Sequence, residues 1–207
     1  MKRLTDNQPG FTIVELMMAT AVFSVILLVG LTGFVQIGRA YYKGLTISQT
    51  NDTAQQILND VSAQIRLSSS VSAVTQYSGN IYYQCIGNHR YTFNLFNLVD
   101  PSNHDNISKF GLLEDELPGN SGCGNPYSMQ APLSNPAELL GNQMRLLNFS
   151  ITPVGSSGLY SVQVTVASGQ DSALTDPTSP TAQCKLQLGG TQFCAVTTLS
   201  TIVYEGE

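Results

Sequence analysis

Residues 10–17 read GFTIVELM and open an apolar run, FTIVELMMATAVFSVILLVGLTGFV, that occupies residues 11–35. Glu15 is the only ionisable side chain in that run. At ~1.5 Å per residue, a helix of this length crosses the hydrocarbon core of a bilayer. Lys2 and Arg3 precede it, so the positive-inside bias puts the short N-terminus in the cytoplasm and everything after Val35 outside. The apolar stretch is too long for a secretory signal, and no small-x-small cleavage pattern follows it.

A plain membrane anchor has no use for a carboxylate at its start. A charge carried into a bilayer costs several kcal/mol unless it is paired, which marks Glu15 as functional. A cut between Gly10 and Phe11 creates a free α-amine four residues before Glu15. In a bundle of parallel helices, the amine of one chain reaches the carboxylate of a neighbour displaced along the axis. Such a pair neutralises two buried charges and sets the axial register.

The short basic leader, Gly10, Phe11, three residues, Glu15 and an unbroken apolar helix together resemble the cleavage and methylation motif of type IV prepilins and type II secretion pseudopilins. The resemblance is strong over residues 1–40 and extends more weakly to Leu67; beyond that it is a general similarity to minor pilins. It implies cleavage after Gly10 by a prepilin peptidase, N-methylation of Phe11, and docking of neighbouring subunits through Glu15. The implied partners are other pilins or pseudopilins, an inner-membrane assembly platform, and membrane lipid before assembly. The implied location is the inner membrane, single-pass with the head outside, and then a surface pilus or a pseudopilus. Many major pilins carry a proline within this helix. Residues 11–67 have none, but they have Gly30, Gly33, Gly38 and Gly44. Each glycine costs a helix interior about 1 kcal/mol relative to alanine. They mark either a stretch that melts on assembly or sites of close helix packing.

Beyond the membrane run, Ala54, Ile57, Leu58, Val61 and Ile65 form one apolar stripe, while Asn51, Asp52, Asn59, Asp60 and Gln64 take other faces. The stripe needs a sheet to cover it, and Ser68, Ser69 and Ser70 end the pattern. Tyr160, Val162, Val164 and Val166 alternate with Ser161, Gln163 and Thr165; Leu147, Phe149 and Ile151 alternate with Asn148, Ser150 and Thr152. The turn-rich residues 153–158 separate these two strands. Residues 81–86 and 91–96 flank a second turn at Gly87, Asn88, His89 and Arg90. The expected fold is α+β: a long N-terminal helix packed on an antiparallel sheet of about four to seven strands. Residues 97–143, with five prolines, read as mostly irregular.

The expected organisation is a leader (1–10), a transmembrane and assembly helix (11–35), an amphipathic helical half (36–67) and a disulfide-bonded β-rich head (68–207). Four cysteines, none in a CxxC pair, point away from zinc or redox chemistry and toward two disulfides in an extracytoplasmic head. Three connectivities are possible. A hairpin turning at Leu188, Gly189 and Gly190 sets Cys184 opposite Cys194, which leaves Cys85 for Cys123.

Only 11% of residues are charged, and the net charge is -5 with scattered Lys and Arg, so no dedicated nucleic-acid site is expected. His89 and His104 lack ligand spacing to Glu or Cys, and no nucleotide-binding or nucleophile motif is present. No cofactor and no catalytic site are expected. Asp100, Asn103, Asp105 and Asn106 lack the order of a calcium loop. Glu114, Asp115 and Glu116 read as a solvated acidic face. The reading is a structural, minor-pilin-like subunit of a type IV pilus or pseudopilus. An adhesin head on the same anchor, or a type II secretion pseudopilin, are the alternatives.

Overall fold

The computed structural model describes residues 10–100, 110–117, 122–128, 133–155, 158–185 and 193–206. The chain divides into two units, the first ending at Tyr41 and the second beginning at Tyr42. Helix α1 runs from Ile13 to Leu67 and contributes to both. The glycines Gly30, Gly33, Gly38 and Gly44 lie inside it without interrupting it, and a Cβ at any of them would meet nothing within 4 Å.

In the first unit the side chains of the apolar run are exposed. Its few hydroxyls turn back on the helix: Thr20 donates to the Met17 carbonyl at 3.0 Å, Ser24 to Thr20 at 2.7 Å and Thr32 to Val29 at 2.8 Å. A helix that satisfies its own polar groups offers lipid an apolar surface.

In the second unit the same helix has one buried stripe, Thr50, Ala54, Ile57, Val61, Ser62 and Ile65. Leu58 packs beside it, partly buried. The spacing of three and four residues is that of a single helical face. The helix stops before Ser68, and its orphaned Ile65 carbonyl accepts from the Gly206 N–H at 3.3 Å. Only glycine fits there, since a Cβ on Gly206 would stand 2.1 Å from the Arg66 carbonyl oxygen.

Among the described residues, eight strands form two antiparallel sheets over this stripe. The first has the order β1 (Thr75–Ser78), β2 (Ile81–Ile86), β3 (His89–Asn94), β4 (Leu112–Glu116) and β5 (Ala137–Glu138). The second has the order β6 (Met144–Val154), β7 (Leu159–Ser168) and β8 (Ala195–Tyr204). A parallel bridge between Leu95 and Leu146 joins them. Ile86, Tyr91 and Phe93 from one sheet meet Phe149, Ile151, Val162, Val164, Val166 and Val203 from the other against Ala54, Ile57, Val61 and Ile65. This is the expected α+β arrangement, a long N-terminal helix on antiparallel sheet, consistent with the pilin fold.

Several local expectations are corrected. The turn after β2 has two residues, not four: Ile86 pairs with His89, and Gly87 takes φ 55° at the first turn position, where glycine is free of strain. The link before β7 is shorter than residues 153–158, because Pro153 and Val154 still pair with Tyr160 and Leu159. Leu147 does not share a face with Phe149 and Ile151. A bulge between Leu146 and Asn148 turns it toward a second cluster with Ala167, Leu174, Ala182 and Cys194. Residues 97–143, read as mostly irregular, supply β4 and β5.

The structure joins Cys85 to Cys123 and Cys184 to Cys194. Cys184 is not a hairpin strand residue, however; it bridges Leu174, and Cys194 immediately precedes β8. The expected turn at Leu188, Gly189 and Gly190 lies outside the described residues, as do Asn103, Asp105 and Asn106. The two bonds close sequence separations of 38 and 10 residues. In a chain-entropy account these are worth roughly 4 and roughly 3 kcal/mol. Serine replacement of the Cys85–Cys123 pair is therefore expected to lower the thermal midpoint more than replacement of Cys184–Cys194. Equal or reversed losses in paired melting curves would contradict this ranking.

Candidate functional site

Gly10 and Phe11 precede the first turn of α1, and both are exposed. Thr12 is the N-cap residue and Glu15 stands at the third helical position. The Thr12 N–H donates to Glu15 Oε2 at 3.0 Å, and its hydroxyl donates to the same oxygen at 2.8 Å. In return the Glu15 N–H donates to Thr12 Oγ1 at 3.3 Å. This is a capping box, in which a threonine and a glutamate three residues on satisfy each other's backbone donors. The spacing Thr-x-x-Glu was readable in the sequence, and its meaning for helix initiation adds a second role to Glu15. The box caps the helix one residue after Phe11, so the Gly10–Phe11 peptide lies outside it. A Cβ on Gly10 would meet nothing within 4 Å. Packing among the described residues therefore places no demand for glycine there, and a demand would have to come from outside them, as from a processing enzyme.

Residues 5–31 match the family model of the prokaryotic N-terminal methylation motif. The chain carries the type IV pilin-like prepilin signature. Comparison with curated proteins and with solved structures finds no match to the chain. The match thus takes in most of the apolar run and ends at Leu31, and the rest of the chain lies beyond it. Helix α1 is long and apolar enough to cross a membrane, and the prepilin signature at its start accords with membrane anchoring.

The head brings together charges that the sequence reading left apart. Arg90 on β3 and Asp115 on β4 are fully buried and face each other, with Nε–Oδ1 at 2.9 Å and Nη2–Oδ2 at 2.5 Å. Arg90 also donates to the Gly124 carbonyl at 3.0 Å, and Asp115 accepts from the Ser134 N–H at 3.1 Å. The pair therefore clamps two loop segments onto the sheet. The acidic triplet is not a solvated face. Alternation sets Asp115 on the side of β4 away from the core residue Leu112, where the loop segments at Gly124 and Ser134 lie over the pair and Asp115 is buried. Of its neighbours, Glu116 is exposed, and Glu114 lies half-buried with Oε1 at 2.9 Å from His89 Nδ1.

Beneath them the Tyr91 hydroxyl donates to Asp60 Oδ2 at 2.9 Å, tying the helix to β3. Burial, then the Asp60 and Glu114 carboxylates, hold the Tyr91 phenol well above its usual range. Burial also raises the Glu114 carboxyl, and Asp60 adds to the effect. Among the described residues no three His, Cys, Asp or Glu side chains gather as a metal site requires. These contacts fasten the helix and the loops to the sheet. The chemistry that the signature predicts sits at residues 10–15.

Proposed function

We propose that the chain is a minor-pilin-like structural subunit of a type IV pilus or related pseudopilus, cut after Gly10, methylated on Phe11 and polymerised through its N-terminal helix. The matched motif is that of structural rather than catalytic proteins. The observation that carries the reading is Glu15, the single carboxylate of the apolar run 11–35, held at the start of its helix five residues after Gly10. In lipid such a group is costly unless a neighbour supplies a positive charge. A new α-amine on Phe11 of the adjacent subunit supplies it.

On this reading the leader is residues 1–10, the transmembrane and assembly segment 11–35, the amphipathic half 36–67 and the head 68–207. A prepilin peptidase and an inner-membrane assembly platform act on the chain. Lys2 and Arg3 keep the leader cytoplasmic, and the head is displayed outside. Mass spectrometry of sheared filaments should find a mature N-terminal peptide beginning at Phe11, one methyl group heavier than the unmodified sequence. Filament-borne protein that keeps Met1 or Lys2 would overturn the reading.

A further inference from the structure

Sheets have edges, and an open edge recruits another strand unless it is short, kinked, charged or covered. Most edges of this head are guarded. β1 has four residues and a register break between Gln76 and Ser78, and β5 has two residues. The free side of β6 is covered where Phe96 donates to Leu146 and Val99 to Met144, and near its end Pro153 has no N–H to offer.

Among the described residues, β8 has none of these protections. Its ten residues, AVTTLSTIVY, carry no charge and no proline, and they pair with β7 without a bulge. The ladder also shows which backbone groups are free. The Glu205 N–H donates to the Gly158 carbonyl in the same register, so odd-numbered residues bond toward β7. Val196, Thr198, Ser200, Ile202 and Tyr204 therefore turn their N–H and C=O groups outward. Gly206, next in that series, points its N–H away from β7 and reaches Ile65. No described residue bonds the outward backbone groups between Val196 and Tyr204. Ile202 and Tyr204 are also exposed, at 62% and 60%.

We propose that the outer edge of β8 receives an extended, uncharged strand from the head of another filament subunit, as the fourth strand of the β6–β7–β8 sheet. The inference rests on the filament reading, because anchoring in one membrane brings heads side by side. Ten free-edge residues without a charge select a strand without charge, and the exposed Ile202 and Tyr204 favour apolar residues beside them. The occupant is not a second β8. Just before β8 the Phe193 ring lies 5.9 Å from that of Tyr42, and just after it Gly206 meets Ile65, so β8 runs in the same direction as the head's helix. Antiparallel pairing of two β8 strands would oppose the helices of two heads, although both are entered from the same N-terminal anchor.

Backbone hydrogen exchange on the full-length chain tests this directly. It is measured in native envelope assemblies and in single chains dispersed in detergent. The amides of Thr198, Ser200 and Ile202 should slow at least about tenfold in the assemblies, while those of Leu199, Thr201 and Val203 are protected in both. Ser200→Pro removes only an outward N–H, so it should keep both disulfides and membrane insertion but lose this protection. Outward amides that exchange equally fast in both states overturn the proposal. So does efficient bismaleimide cross-linking of two Ser200→Cys copies, which would identify β8 as its own partner. Absence of the chain from sheared filaments counts separately against the filament reading, because the exchange comparison is made on whatever native assembly holds the chain.

Discussion

Asp115→Ala destabilises the head by about 3–5 kcal/mol, because it leaves the Arg90 guanidinium buried without a counter-charge. Both side chains are fully enclosed, so water cannot replace the lost carboxylate. The effect is also not confined to one bond. Asp115 holds the Ser134 N–H and Arg90 holds the Gly124 carbonyl, so two loop segments lose their clamp together. At ~2–4 °C per kcal/mol for a domain of this size, the thermal midpoint should fall by roughly 6–20 °C. Glu116→Gln, one residue away but exposed, should change stability by less than about 0.5 kcal/mol. A solvated acidic face would make the two substitutions alike. Thermal unfolding of the two variants with disulfides intact separates these accounts, and near-equal midpoints would remove the clamp.

The same pair shows where sequence reading stops. The helix was legible because its signals are local: a long apolar run, then a stripe at three- and four-residue spacing ending before Ser68. The strand at Leu159–Ser168 was legible from alternation, and the one at Ile81–Ile86 from the turn signal that follows it. What alternation cannot reveal is a bulge, which moves Leu147 to the opposite face, or a partner 25 residues away. Asp115 looks like its acidic neighbours until strand pairing sets it opposite Arg90. β8 carried a readable richness in Val, Ile and Thr, but no turn signal at a fixed offset announced it. At the N-terminus the motif was plain, and Thr12 was the residue overlooked: its spacing to Glu15 specifies the cap as clearly as the apolar run specifies the membrane.

That cap supplies the means to test what Glu15 does. In the single chain its carboxylate accepts from the Thr12 N–H and hydroxyl, so Glu15→Ala removes both a helix cap and a charge. Glu15→Gln separates them. Glutamine serves in a capping box, so the helix start survives, but no negative charge remains for a neighbour's α-amine. If pairing drives assembly, Glu15→Gln and Glu15→Ala should both enter filaments poorly. An unpaired buried amine costs about 3 kcal/mol or more, which is on the order of a hundredfold in subunit incorporation. Glu15→Asp keeps the charge with a shorter reach and should fall between. Thr12→Ala, which loses only part of the cap, should cost about 1 kcal/mol of helix stability and leave incorporation within about tenfold of wild type. Head disulfides should be unchanged throughout, since residues 12–15 lie outside the head, and membrane insertion should be retained in every variant and improve in Glu15→Ala. The measurement compares sheared-filament with membrane-bound protein for each variant expressed beside wild type. Wild-type incorporation of Glu15→Gln, with loss only in Glu15→Ala, would assign Glu15 to helix initiation and leave the pairing of subunits to other groups.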